Sequence, residues 1–148
     1  MGSEPYWYYV QYDENKNNAL QKLRQREFVA GRYNPVIPHI DFPINDKTIS
    51  LGKKHETIEE ALIDAEADGT RSILDLEKVS AEDDFCIART LKKDELLKYF
   101  GTEKPTKEII EKNFDNFLDD IERGKGFCIT VYENDVPIEL FFIGYSFD

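Results

Sequence analysis

Residues 127–145, FCITVYENDVPIELFFIGY, decide the fold of this chain of 148 residues. The first seven are rich in β-branched and aromatic residues, which favour strands. Asn134 and Asp135 tolerate the positive φ angles of a tight turn, and residues 138–145 return as a second strand. Residues 140–143 are apolar without alternation, which indicates a central strand covered on both faces. The segment is therefore predicted to be a β-hairpin inside a sheet.

The preceding elements are predicted from apolar periodicity and from residues that start or stop helices. A strand over 5–12 is followed by a helix over 14–30, capped by Asp13 and ended by Gly31. Prolines make residues 32–56 an irregular loop. The elements expected next are a helix over 57–69 with Thr57 and Glu60 as a capping box, strands over 70–79 and 84–89, and a helix from Thr90 to Gly101.

The clearest helix is predicted over residues 105–123. Ile110, Phe114, Phe117 and Ile121 recur at spacings of four, three and four, which places them on one buried side. The element order is then β-α-loop-α-β-β-α-α-β-β. This order predicts a single α+β domain over residues 1–148, with helices packed on a mostly antiparallel sheet of four to five strands.

Charge and hydropathy exclude several classes of protein. The chain has 19 basic and 30 acidic residues, and residues 61–148 account for 11 and 21 of them. Such a field repels nucleic acid and anionic membranes and attracts cationic partners. No apolar run is longer than five residues, whereas a membrane-spanning helix needs about 20. No basic and apolar leader is visible, so a cytoplasmic location is expected.

Metal, cofactor and disulfide sites are not expected. Cys86 and Cys128 lack zinc-ligand spacing and are predicted to be reduced, buried apolar residues. His39, Asp41 and His55 form a weak metal-ligating set, since nothing in their spacing brings them together. No cofactor is predicted.

No catalytic motif is recognisable either, so an enzyme is the less favoured interpretation. Nucleophile-elbow and phosphate-loop patterns are absent from the sequence. Asp75 and Glu77, with Arg71, would lie on one face of the strand over 70–79. This row is either a small acid–base site or, as expected for a half-buried strand, its solvated side.

The most specific surface feature is an acidic row on the helix over 105–123. Its five carboxylates follow one another at steps of three, four, four and three: Glu108, Glu111, Asp115, Asp119 and Glu122. Like charges four residues apart oppose helix formation by about 0.2–0.5 kcal/mol per pair, so stability alone does not favour this row. Either it is a solvated face or it meets a basic protein surface. The leading hypothesis is a small acidic binding or inhibitory protein, such as a bacterial immunity or antitoxin-like protein.

The alternative hypothesis is a small ligand-binding or enzymatic domain with a pocket at residues 32–43. This proline-stiffened loop carries polar residues that suit a ligand: Arg32, Tyr33, Asn34, His39 and Asp41. The same loop would equally serve to cover one end of the core. A homodimer formed through an exposed strand edge is a third possibility.

Overall fold

The last strand lies inside the sheet. In the computed structural model, which describes residues 4–33, 41–45 and 47–147, β1 (Pro5–Gln11) and β4 (Gly126–Glu133) flank β5 (Val136–Tyr145). Both neighbours are antiparallel to β5. Asn134 and Asp135 join β4 to β5 with φ angles of 53° and 62°. The predicted C-terminal hairpin and the central position of its second strand are therefore confirmed.

The sheet is mixed, so the prediction of a mostly antiparallel sheet is wrong. Its five strands have the order β1-β5-β4-β3-β2, where β2 is Lys78–Ser80 and β3 is Ile87–Thr90. β2 is parallel to β3, and β3 is parallel to β4. The chain returns through a loop after β2 and through helices after β3, and such returning connections make the joined strands parallel.

Helices cover both faces of the sheet. α1 (Lys16–Ala30) packs on one face, and α3 (Lys93–Phe100), α4 (Lys107–Lys112) and α5 (Phe114–Leu118) pack on the other. Successive side chains of a strand point to opposite faces. Along β5, Leu140 and Phe142 belong to the core under α1, and Phe141 and Ile143 belong to the core under α3–α5. This explains the unbroken apolar run at 140–143.

The predicted strand over 70–79 is mostly not a strand. A 3₁₀ turn, Ile73–Asp75, occupies its centre, and β2 begins only at Lys78. The cause is local hydrogen bonding, which competes with extended structure. Ser72 Oγ accepts from the Leu74 amide, and Asp75 Oδ1 accepts from the amide and hydroxyl of Thr70 at 2.7 and 2.8 Å. Asp75 is 2% exposed, so it shares no solvated strand face with Glu77.

The predicted helix over 105–123 is broken at Asn113, between α4 and α5. The Asn113 side-chain amide donates to the Ile109 carbonyl oxygen at 2.9 Å, and its backbone leaves the helical region at φ −104° and ψ 11°. Asparagine side chains compete with the helical backbone in this way. Ile110, Phe117 and Ile121 are nevertheless buried as their spacing predicted.

Helix ends agree with the predictions at Gly31 and Thr57 and differ elsewhere. Gly31 ends α1 in the left-handed region at φ 72° as predicted, but Asn15 rather than Asp13 caps its start. α2 is Ile58–Asp64, and the Thr57 hydroxyl accepts from the Glu60 amide as expected. Thr90 ends β3 instead of opening α3.

Both edges of the sheet carry other contacts. On the β1 side, Tyr8 forms a bridge with Ile44. On the β2 side, the Asn17 side chain accepts from the Val79 amide and the Gln21 side chain donates to the Glu77 carbonyl oxygen. A homodimer through a free strand edge therefore has little support here and stays a prediction. Within the described part of the chain, no helix has both the length and the apolarity needed to cross a membrane.

Candidate docking groove

The five carboxylates of the predicted acidic row are all exposed, but they are divided between three segments. Glu108 and Glu111 lie on α4, Asp115 lies on α5, and Asp119 and Glu122 follow the end of α5. The break at Asn113 means that they do not form one straight helical row. Their exposure to solvent, on which the functional hypothesis depends, agrees with the prediction.

Four of these carboxylates have no basic partner among the residues that the structure describes. Only Glu122 forms an ion pair, with its Oε2 lying 3.2 Å from Lys125 Nζ. Unpaired exposed carboxylates create a negative potential that reaches about one Debye length, roughly 8 Å at physiological salt. This part of the surface therefore attracts cations.

A groove of about 680 Å³ lies at the end of this acidic surface. Its apolar part consists of Phe85, Leu118, Ile121 and Tyr145, and its polar lining consists of Asp119, Glu122 and Arg123. Two of the five predicted partner-binding residues therefore line a shallow groove with both apolar and polar surface. Apolar surface bordered by charge is typical of protein-binding sites.

Phe85 is the exposed aromatic residue of this groove, with 62% of its surface open to solvent. The next residue, Cys86, has a φ of 63°, in the left-handed region that costs a non-glycine residue about 1–2 kcal/mol. Two hydrogen bonds hold this turn: the Cys86 amide donates to Gly124 O at 2.8 Å, and the Glu77 amide donates to Cys86 O at 2.7 Å. The ring is thus presented to solvent by a well-anchored turn.

Gly124 provides the space in which the Phe85 ring lies. A Cβ atom at this glycine would come within 2.8 Å of Phe85 Cδ1, closer than real Cβ contacts allow. Gly124 also has a φ of 77°, which a side chain disfavours. The segment after α5 and the turn before β3 are therefore fitted to each other at the groove.

Lys125 joins a second acidic segment, residues 82–84, to the groove. Its Nζ lies 3.0 Å from Asp83 Oδ1 and 3.2 Å from Glu122 Oε2. The same atom lies 5.5 Å from the centroid of the Phe85 ring, within cation–π range. Lys125 therefore places a cation beside the groove, in addition to Arg123 of its lining.

Sequence reasoning missed residues 82–85 as part of the site. The run Glu-Asp-Asp-Phe, three acids followed by an aromatic residue, is the available signal, but its last two residues fall in the strand predicted over 84–89. The actual strand begins at Ile87. Asp83 and Lys125 are 42 residues apart, and no local pattern indicates that they meet.

The alternative ligand-binding residues have internal roles where the structure describes them. Buried Arg32 forms a two-pronged ion pair with buried Glu27, at 2.9 and 2.6 Å. Buried Tyr33 has its hydroxyl 2.8 Å from His55 Nδ1. Asp41 is exposed, and Asn34 and His39 lie outside the described residues. Arg32 and Tyr33 are therefore committed to holding the loop that follows α1.

Of the three residues in the weak metal-ligating set, the structure describes Asp41 and His55 but not His39. His55 lies between Tyr33 and Asp64, with its Nε2 2.6 Å from Asp64 Oδ2. Among the described residues there is no group of three side chains able to hold a metal ion. Both cysteines are free, and burial raises the pKa of the Cys128 thiol to about 12 and that of Cys86 to about 11.

Comparison with protein-family models, with curated proteins and with solved structures finds no match to this chain. Its function is therefore argued from the groove and the charges around it.

Proposed function

We propose that the protein is a small acidic binding or inhibitory protein, of the immunity or antitoxin-like kind, that engages a basic surface of a partner protein. The observation that carries this proposal is the groove lined by apolar residues such as Phe85, whose polar lining has two carboxylates, Asp119 and Glu122, and one guanidinium, Arg123. A bacterial source and a cytoplasmic location stay predictions from the sequence.

The apolar part of the groove supplies the kind of contact that dominates interface energies. Aromatic residues that become buried against a partner are common hot spots, and the charged surroundings exclude water and set orientation. Phe85 is available for such burial because most of its ring faces solvent. Carboxylates at the border would favour a cationic partner and reject an acidic one.

The exposed row that continues from the groove along α5 and α4 would extend this contact. Asp115, Glu111 and Glu108 add three charges without basic partners among the described residues. Rim charges of this kind mainly increase the association rate and make it dependent on salt. A partner with both an apolar anchor and a basic border fits this surface.

The rival proposal of a pocket at residues 32–43 has less support. The Arg32 guanidinium donates hydrogen bonds to Glu27 and to a carbonyl oxygen of the following loop, and Tyr33 is buried. A ligand would have to break these contacts before it reached either side chain.

The test of the proposal compares two charge-reversed variants with a matched control. The partner is captured from lysate of the native source at low salt, identified by mass spectrometry and purified. Its affinity is then measured for the wild type, for Asp119→Lys with Glu122→Lys, and for Glu111→Lys with Asp115→Lys. The control, Glu66→Lys with Asp68→Lys, makes the same charge change at exposed residues near α2.

The two surface variants are expected to weaken binding by at least about tenfold, and the control by less than about threefold. Wild-type affinity is expected to fall between about 50 and 300 mM salt because the attraction is screened. Equal affinities for all four proteins, or affinity independent of salt, would contradict the proposal.

A further inference from the structure

Lys125 occupies a cation-binding position beside the groove, against Phe85 and Glu122 of its lining. Its ammonium group lies between Asp83 and Glu122 and faces the ring of Phe85. Only 18% of the lysine side chain is exposed, whereas its two carboxylate partners are 65% and 71% exposed. The carboxylates and the ring can therefore be reached from solvent while the lysine fills the space between them.

We propose that Lys125 is a placeholder, and that an arginine side chain of the partner displaces it and lies on Phe85 between Asp83 and Glu122. This inference rests on the proposed function and specifies the residue type that the groove selects. The occupant is an arginine-bearing segment of a basic protein.

Displacement of the lysine side chain would leave its backbone hydrogen bonds in place. Lys125 is tied to its surroundings through its backbone: its amide donates to Glu122 O and its carbonyl oxygen accepts from the Tyr145 amide, both at 3.1 Å. The side chain itself makes ion pairs with exposed acids, and such pairs contribute little to stability because solvent and salt screen them. Displacement therefore has a small electrostatic cost, and its remaining cost is exposure of the lysine stem, of which 18% is exposed here.

Arginine fits this position better than lysine for geometric reasons. A planar guanidinium stacks on an aromatic face and has donors for two carboxylates at once, whereas an ammonium is a compact and more strongly hydrated charge. Lys125 Nζ is 5.5 Å from the ring centroid and stays beside the two acids. Because Phe85 is 62% exposed, a flat cation that replaces the ammonium group would have room to contact ring and carboxylates together.

The experiment uses the full chain and two defined probes, fluorescein-labelled hexa-arginine and hexa-lysine peptides, titrated by fluorescence anisotropy. Four proteins are compared: wild type, Lys125→Met, Lys112→Met and Phe85→Leu. Lys112→Met is the matched control because it removes one positive charge from α4 on the same acidic surface. Amide spectra by NMR establish that each variant keeps its fold.

We expect wild type to bind hexa-arginine at least about fivefold more tightly than hexa-lysine. Lys125→Met is expected to tighten hexa-arginine binding by about tenfold, against less than about twofold for Lys112→Met, because only the former empties the groove. Phe85→Leu is expected to bring the two peptides to similar affinity. In NMR titrations, hexa-arginine is expected to shift the resonances of Phe85 and Lys125 first.

The inference is overturned if Lys125→Met and Lys112→Met behave alike, or if the peptides are bound equally and leave Phe85 and Lys125 unshifted. The proposed function would survive either result as long as binding stays salt-dependent and sensitive to reversal of Asp119 and Glu122. Absence of binding to both peptides, together with a partner insensitive to those reversals, would remove both proposals.

Discussion

Replacing Asp75 by Asn is expected to stabilise the protein at neutral pH. Asp75 is buried, and its Oδ1 accepts two hydrogen bonds from Thr70, while its Oδ2 has no hydrogen-bond partner among the residues that the structure describes. Burial disfavours the charged form and raises the pKa of this carboxyl from 3.8 to about 6, although the Thr70 hydrogen bonds oppose the shift. Asparagine keeps an oxygen acceptor for Thr70 and carries no charge.

The magnitude follows from the difference between the folded and unfolded pKa values. About two units correspond to about 2–3 kcal/mol, at about 1.36 kcal/mol per unit. Because the folded-state pKa is the higher one, the folded protein binds the proton more tightly. This contribution to stability is complete below about pH 4 and is lost as the pH rises through about 6.

The assay is urea-induced unfolding at several pH values between 4 and 8, with the single tryptophan, Trp7, as fluorescent probe. Asp75→Asn is expected to be close to wild type near pH 4 and more stable by about 2–3 kcal/mol at pH 7.5. The matched control, Asp68→Asn, changes an exposed residue and is expected to stay within about 0.5 kcal/mol. A variant that is less stable than wild type at pH 7.5, or a difference independent of pH, would refute the reasoning.

Two further predictions concern the end of α1 and the loop that follows it. Gly31→Ala is expected to lower the free energy of unfolding by at least about 2 kcal/mol more than Gly101→Ala does. Both glycines have a φ of 72°, but only at Gly31 would a Cβ meet backbone, at 2.1 Å from Gly52 O. Similar costs in denaturant titrations would show that the backbone of Gly52 moves away freely. Glu27→Gln is expected to destabilise the fold by about 3–5 kcal/mol, because buried Arg32 loses its counter-charge. A loss below about 1 kcal/mol would mean that Arg32 is satisfied by carbonyl oxygens alone.

The parts of the fold that sequence could predict are those whose signals are local and mutually consistent. In the hairpin, strand-forming residues flank a turn that requires positive φ, and the apolar run at 140–143 matches a strand covered on both sides. For α1, apolar spacing and Gly31 gave the same helix end as the structure. Here propensity, periodicity and caps all favour the same element.

The errors arise where a polar side chain bonds to nearby backbone. Asp75 and Ser72 turn a region of alternating residues into a 3₁₀ turn, and Asn113 breaks a helix whose apolar spacing is continuous. Periodicity reports which residues are buried and does not report such hydrogen bonds. This is why the burial of Ile110, Phe117 and Ile121 was predicted correctly, although the unbroken helix over 105–123 was not.

The parallel strands and the groove depend on contacts between distant segments. The pairing of Ala88 with Gly126 cannot be derived from either local sequence, since it depends on the path of the chain through α3, α4 and α5. The groove likewise needs the turn before β3 to meet the segment after α5. The sequence indicated its charges at Asp119 and Glu122, and only the fold brings Phe85 to them.

Phe85 is difficult to explain by stability alone. The turn that presents it contains a non-glycine residue at positive φ, Cys86, and a glycine, Gly124, whose missing side chain makes room for the ring. Most of the ring is nevertheless exposed, so the fold gains little from burying it. A backbone arrangement that costs free energy and leaves this aromatic residue largely in solvent, beside Glu122 and with Lys125 over its ring, is what the proposed surface for an apolar and cationic partner would require. The strained backbone at Cys86 has a physical explanation when a partner molecule buries Phe85.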